Sequence, residues 1–188
     1  MVPDALPNAP PGGFGELRAG NLGVRIATTS GEIDAALALR YRIFFDEMGA
    51  TPNAQTRLSR RDRDEFDSVA DHLLVVDHAI GPGPEGVVGT YRMLQPAGAA
   101  AIGRFYTADE YDISPITSFP GRVLELGRSC VDITYRGRAV MQLLWRGIAA
   151  YVLRHRIDIM FGCASLPGIA PMPQRCRWPN TPPGLRGP

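Results

Sequence analysis

The chain has 188 residues, 45% of them apolar, and a formal net charge of +1. That charge excludes the strong positive field of a dedicated nucleic-acid binder, and no apolar run is long enough to cross a bilayer. One soluble domain is expected, placed in the cytoplasm because the opening residues MVPDALPNAPPGGFG lack the basic start and apolar stretch of a secretory signal.

All twenty basic residues are arginines. That is a compositional bias of the kind a GC-rich coding sequence produces, so only an arginine set against an apolar pattern carries information. The three cysteines lack metal-ligand spacing. Cys130 and Cys163, in apolar runs, are expected as buried free thiols, and neither a metal nor a dissociable redox cofactor is expected.

Residues 1–21 read as a flexible Pro/Gly-rich arm. LGVRIATT, from Leu22 to Thr29, alternates as a strand should, and Ser30 follows as a helix N-cap. On a wheel of about 100° per residue, Ile33, Leu37, Tyr41, Phe44 and Met48 share one face before Gly49 closes the helix. Arg40 falls within that face and must find a carboxylate or a ligand, whereas Arg42 points to solvent.

The polar stretch Thr51–Ala70 has no apolar period and reads as a long loop ending in Asp62, Asp64, Glu65, Asp67 and Asp71. Leu73–His78 and Val87–Leu94 flank a GPGPEG turn as an antiparallel hairpin, with Arg92 in its second strand. GRFYTADEYDISPI is too broken for one element and combines a helical turn with a loop. A strand at VLELGRSCVDI, a helix over about 137–156 and a strand from Asp158 to Leu166 complete a mixed α/β order with one βαβ crossover. Beyond Leu166 the prolines multiply and periodicity ends. Residues 169–188 are expected to form an irregular tail that cannot close such a sheet, through a frameshift or premature end, with a natural disordered tail as the alternative.

VLELGRSCVD sets a charged pair into a strand. Glu125 and Arg128, three residues apart, would point to opposite faces of a regular strand. A β-bulge at Gly127 would turn both to one face, as bulges beside active sites do; a buried structural ion pair is the alternative.

The runs LRYRIFF, DEFD, ADHLLVVD, VVGTYRML, GRFYTADEYDISP and LELGRSCVDITYRGRAVMQLLWRGIAAYVLRHRIDIMFGCASLPG closely resemble the bacterial ornithine N-acyltransferases that make lyso-ornithine lipid, a hemolysin-like branch of the GNAT superfamily. The resemblance spans roughly Val24 to Gly168. It implies a GNAT-like mixed, mostly antiparallel sheet flanked by helices over residues 22–168, incomplete at its C-terminal side. It also implies transfer of a 3-hydroxyacyl group from acyl carrier protein to the α-amino group of L-ornithine, with peripheral association at the inner face of the membrane through the lipid product. The charged set of this family and of the more distant acyl-homoserine-lactone synthases falls on Arg40, Phe44, Asp64, Asp67, Arg92, Glu125 and Arg128. Those synthases carry a tryptophan, part of an S-adenosylmethionine pocket, where this chain has Ala50, so they rank second. A truncated relative that only binds the carrier is a further alternative.

Acyl transfer from a thioester to an amine needs a proton sink and donors for the oxyanion. Glu125 is the expected sink, directly or through water, with Arg128 beside it and His72 as the competing base. Backbone N–H groups at the bulge would bind the oxyanion. Arg40 or Arg92 would clamp the ornithine carboxylate and Asp64 with Asp67 its side-chain ammonium, unless these groups pair with one another. On the donor side, Arg136, Gly137, Arg138, Ala139 and Val140 open a helix whose first N–H groups suit the phosphate of a phosphopantetheine arm. Arg136, Arg138, Arg146, Arg154 and Arg156 suit an acidic protein donor.

Overall fold

The structure, a computed structural model, describes residues 14–164. Its sheet has six strands in sequence order: β1 (Leu17–Ala19), β2 (Leu22–Ile26), β3 (Asp71–Asp77), β4 (Val87–Leu94), β5 (Val123–Val131) and β6 (Ile159–Phe161). All neighbours are antiparallel except β5 and β6, which run parallel and are joined through α5 (Arg138–His155). This is the expected mixed, mostly antiparallel architecture. The tail expected over 169–188 lies outside the described residues, as does the arm up to residue 13.

The arm does not extend to residue 21. Leu17–Ala19 pairs with Leu22–Val24, and Phe14 is buried among the core residues beneath α5. Three residues were too few to show an alternation, but pairing to a neighbour supplies what pattern could not.

α1 (Ser30–Tyr41) begins one residue earlier than Ser30 suggests. Thr29 is the N-cap: its hydroxyl accepts from the Glu32 N–H at 3.2 Å, and the Glu32 carboxylate reaches back to the Thr29 N–H. The helix continues as a π-helix over Arg42–Glu47, an irregularity that often marks a functional site. This widening shifts the wheel, so Met48 is exposed while Leu37, Tyr41 and Ile43 stay in the core.

The stretch read as one loop contains α2 (Ala54–Ser59), capped by Asn53, and a 3-10 helix at Glu65–Ser68. Between β4 and β5 lie α3 (Pro96–Ile102), a 3-10 turn at Tyr106–Asp109 and α4 (Ser114–Thr117). α3 was hidden because PAGAAAI is nearly all small residues and shows no amphipathic period.

Two cores sandwich the sheet. α5 packs Val140, Leu143, Leu144, Ile148 and Tyr151 against Val24, Leu73, Val75, Met93 and Leu124. On the other face, α1 sets Ala36 and Leu39, and the π-helix after it Ile43, against Leu74, Val76, Val87 and Cys130. Gly147 lets α5 approach closely, since a Cβ there would meet Val24 at 2.7 Å and Leu73 at 3.0 Å.

Candidate active site

The sequence DEFD forms the hinge of the charged site. Asp64 caps the 3-10 helix Glu65–Ser68, accepting from the Phe66 N–H at 3.0 Å, and the Asp67 carboxylate accepts from the Asp64 N–H at 2.8 Å. This reciprocal cap fixes both carboxylates against the sheet. Arg40 enters from α1, donating through Nε to Asp62 at 2.8 Å and through Nη1 and Nη2 to Asp67 at 2.6 and 3.2 Å. From β4, Arg92 donates to Asp64 at 2.5 Å and to Asp67 at 3.2 Å. Arg128, from β5, reaches Asp64 at 3.4 Å and lies 3.6 Å from Asp62.

Three guanidiniums thus meet three carboxylates, and the cluster neutralises itself. Burial by itself would raise the Asp67 carboxyl, but Arg40, the Asp64 N–H and Arg92 hold it below the usual carboxylate range. Arg40 and Asp67 are buried and stand outside the cavity wall described below. Their polar atoms pair within the cluster, with Arg40 holding Asp62 and Asp67, and Asp67 also accepting from Arg92 and the Asp64 N–H. His72 likewise does not line the cavity. It is 1% exposed, its Nε2 lies 3.1 Å from the Asp67 carbonyl, and burial pushes its pKa below the ordinary imidazole value.

The expected bulge exists, displaced by one residue. Thr90 faces Cys130 and Arg92 faces Gly127, so Arg128 and Ser129 together oppose Tyr91. The residue in the left-handed region is Arg128 itself, at φ 51°, and not Gly127. An arginine in that region costs about 1 kcal/mol or more relative to glycine, a strain that functional sites retain. Glu125 stays in register opposite Leu94, and its two oxygens accept from the Tyr106 N–H at 2.9 Å and the Thr107 N–H at 2.6 Å. It therefore anchors the turn Tyr106–Asp109. The Tyr106 ring in turn lies beneath both guanidiniums, 5.1 Å from Arg128 and 5.4 Å from Arg92.

These groups open onto one cavity of about 950 Å³. Glu125, Gly127, Arg128 and Ser129 form its floor from β5, with Arg92 and Tyr91 from β4; Phe44, Phe45, Met48 and Ala50 wall one side, and Cys163 and Ala164 another. The paired register of β5 and β6 ends at Glu125 and Phe161, and Gly162 then lies so close to β5 that a Cβ there would collide with the Leu126 carbonyl oxygen.

At the far rim, Arg136 is tied to Glu47 by two contacts, one of them 2.8 Å, and donates to the Val131 carbonyl at 3.2 Å. Gly137 caps α5 without a side-chain partner, so the N–H groups of the first turn, Arg138 to Val140, meet no side-chain cap. The Val140 side chain is in the core and contributes only its backbone.

A family model described as an acetyltransferase (GNAT) domain matches residues 39–146, which include every charged residue of this cluster. The chain belongs to the GNAT family. It is similar to a protein of Brucella abortus named L-ornithine N(alpha)-acyltransferase, 49% identical over 158 residues that cover 82% of this chain and 56% of the relative. The chain spans about half the length of the curated relatives it matches. Among solved structures, FeeM, an N-acyl amino acid synthase from uncultured soil microbes, is 17% identical at a TM-score of 0.53, covering 74% of this chain and 70% of that one. The AHL synthase LasI is 15% identical at a TM-score of 0.52, covering 75% and 71%. Both show the GNAT fold.

Within this GNAT site, sequence reasoning overlooked Asp62 as a ligand of Arg40 and Tyr106 as the platform under two arginines. It also overlooked Glu110, exposed at the cavity wall, and the half-buried Cys163. Cys163 lines the cavity and donates to Thr107 Oγ1 at 3.5 Å, so only Cys130 is the buried thiol expected, its pKa pushed up to about 12 by burial. An available signal for Tyr106 was its place in an aromatic pair next to an acidic turn.

Proposed function

We propose that this protein transfers a 3-hydroxyacyl group from the phosphopantetheine arm of acyl carrier protein to the α-amino group of L-ornithine, giving lyso-ornithine lipid at the inner face of the membrane. The observation that carries the reading is the 49% identity to a relative of that name over 82% of this chain, a chain whose charged cluster opens onto a cavity.

The neutral amine attacks the thioester carbon. The new C–N bond forms, the tetrahedral oxyanion collapses, the C–S bond breaks and the arm's thiol leaves with a proton. Glu125, fixed by two backbone N–H donors, takes the proton from the attacking nitrogen directly or through water. Backbone freed where Arg128 and Ser129 oppose one residue offers N–H groups to the oxyanion. Arg128 is the loosest-held arginine of the cluster: its contacts are long, 3.4 Å to Asp64 and 3.6 Å to Asp62, and its side chain is part-exposed in the cavity lining. It therefore suits the ornithine carboxylate better than Arg40 does, and Glu110 on the wall suits the side-chain ammonium. The uncapped start of α5, with Arg136 and Arg138, takes the phosphate of the arm.

Incubation with 3-hydroxyacyl carrier protein and L-ornithine, followed by mass spectrometry of the product, tests this. Acylation of the α-nitrogen that falls about a hundredfold or more in Glu125→Gln supports the reading. No acyl-ornithine, or preferred transfer from acyl-CoA or to another amine, overturns it.

A further inference from the structure

Among the described residues, most arginines pair with a carboxylate, and those that do not are Arg57, Arg63 and Arg122, scattered over the fold, and four on or just after α5. Arg18, Arg25, Arg40, Arg42, Arg60, Arg61, Arg92, Arg104, Arg128 and Arg136 all have carboxylate partners. By contrast, no carboxylate lies within salt-bridge distance of Arg138, Arg146, Arg154 or Arg156 among the described residues. From Tyr135 to Ile157 the sequence has no acidic residue.

The same helix exposes apolar bulk. Its inward face is filled by Val140, Leu143, Leu144, Ile148 and Tyr151. Outward, Trp145 is 52% exposed, Met141 43% and Leu153 79%. With Ala149 these fall within an arc of about 120° on the helical wheel. On the same wheel Arg138 falls at the middle of that arc and Arg146 just beyond its Leu153 edge, while Arg156 follows the helix as its C-cap. α5 is about 27 Å long, and the strip runs its full length.

We infer that the outward face of α5 is a docking surface for an anionic lipid bilayer, with Trp145, Met141 and Leu153 entering the headgroup boundary and Arg146 and Arg156 meeting lipid phosphates. Two features select this occupant. An indole flanked by long aliphatic side chains suits an interface that is apolar below and wet above. Cations that no protein carboxylate neutralises complement a negative surface, where each adds to binding. An acidic carrier protein would meet the cations equally well. It would dock at the cavity end of the helix, however, and would leave Leu153 and Arg156 at the opposite end without a role. The inference assigns a docking surface to the membrane placement proposed above and does not depend on the acyl-transfer reading being right.

The test is co-sedimentation of the full chain with vesicles of phosphatidylglycerol and phosphatidylcholine mixed, and of phosphatidylcholine alone. Binding is expected only to the anionic mixture, weakening as salt rises. Trp145→Ser with Leu153→Ser, and separately Arg146→Glu with Arg156→Glu, are expected to reduce it tenfold or more. Circular dichroism unchanged from the parent shows that these exposed substitutions leave the fold intact. Equal binding to neutral vesicles, no binding to anionic ones, or binding indifferent to both double variants overturns the inference. So does loss of carrier-protein binding in the Trp145→Ser, Leu153→Ser variant with vesicle binding unchanged.

Discussion

The two faces of the sheet use the same side chain in opposite ways. Against α1, Arg40 and Arg92 are buried at 1% and 3% exposure, each held by two carboxylates. On α5 the arginines stand in solvent with no acidic neighbour in sequence. Every basic residue being arginine, composition could not separate these roles; the presence or absence of an internal partner does. Internal partners turn arginine into a brace, and their absence leaves a charge that only something outside the chain can meet.

Breaking the brace should have the largest effect. Arg40→Ala removes the guanidinium that buried Asp62 and Asp67 share, leaving Asp67 only Arg92 and the Asp64 N–H and Asp62 only a 3.6 Å approach of Arg128. A loss of about 3–5 kcal/mol is expected from chemical denaturation. The same change at Arg146 should move stability by less than about 0.5 kcal/mol. Glu125→Gln comes next: an amide presents one acceptor where the turn needs two, costing about 1–3 kcal/mol by the same measurement. Arg128→Gly should separate strain from function. Relief of the left-handed backbone offsets the loss of its long contacts, so the melting temperature should hold, while KM for ornithine rises about tenfold or more; Arg128→Ala should share the kinetic loss and melt lower.

The smallest effect is a pH slope. His72 and Asp67 both have folded pKa values below their ordinary ones, so the unfolded chain binds more protons and stability rises with pH. The contribution of His72 is complete above about pH 6.5 and is lost as pH falls through its folded value, at no more than about 1.4 kcal/mol per pH unit. That of Asp67 is complete above about pH 4 and lost only in stronger acid. Denaturation midpoints measured between pH 7 and 5 should decline in the parent and stay level in His72→Gln.

Much of the fold was legible because its signals are local. Alternation marked β2, apolar runs on either side of a Gly/Pro turn marked β3 and β4, the apolar period marked α1 and α5, and VLELGRSCVD advertised a broken strand. Where composition masks periodicity, as in PAGAAAI, or a strand is three residues long, as at Leu17–Ala19, nothing local could speak. The bulge was foreseen at Gly127 on glycine's conformational freedom, yet Arg128 takes the left-handed backbone, because the register with Tyr91 sets the extra residue there.

The sequence by itself determined that charged residues sit where an apolar pattern should be, and that each must find a counterpart. Only the tertiary structure decided which counterpart. Arg40 reaches carboxylates 22 and 27 residues away and Arg128 one 64 residues away, while Glu125 is satisfied by backbone N–H groups. Burial dictates that a charge be matched, and short-range chemistry can announce that need. The match is made by strand order and register, which bring distant segments within about 3 Å and are properties of the whole sheet.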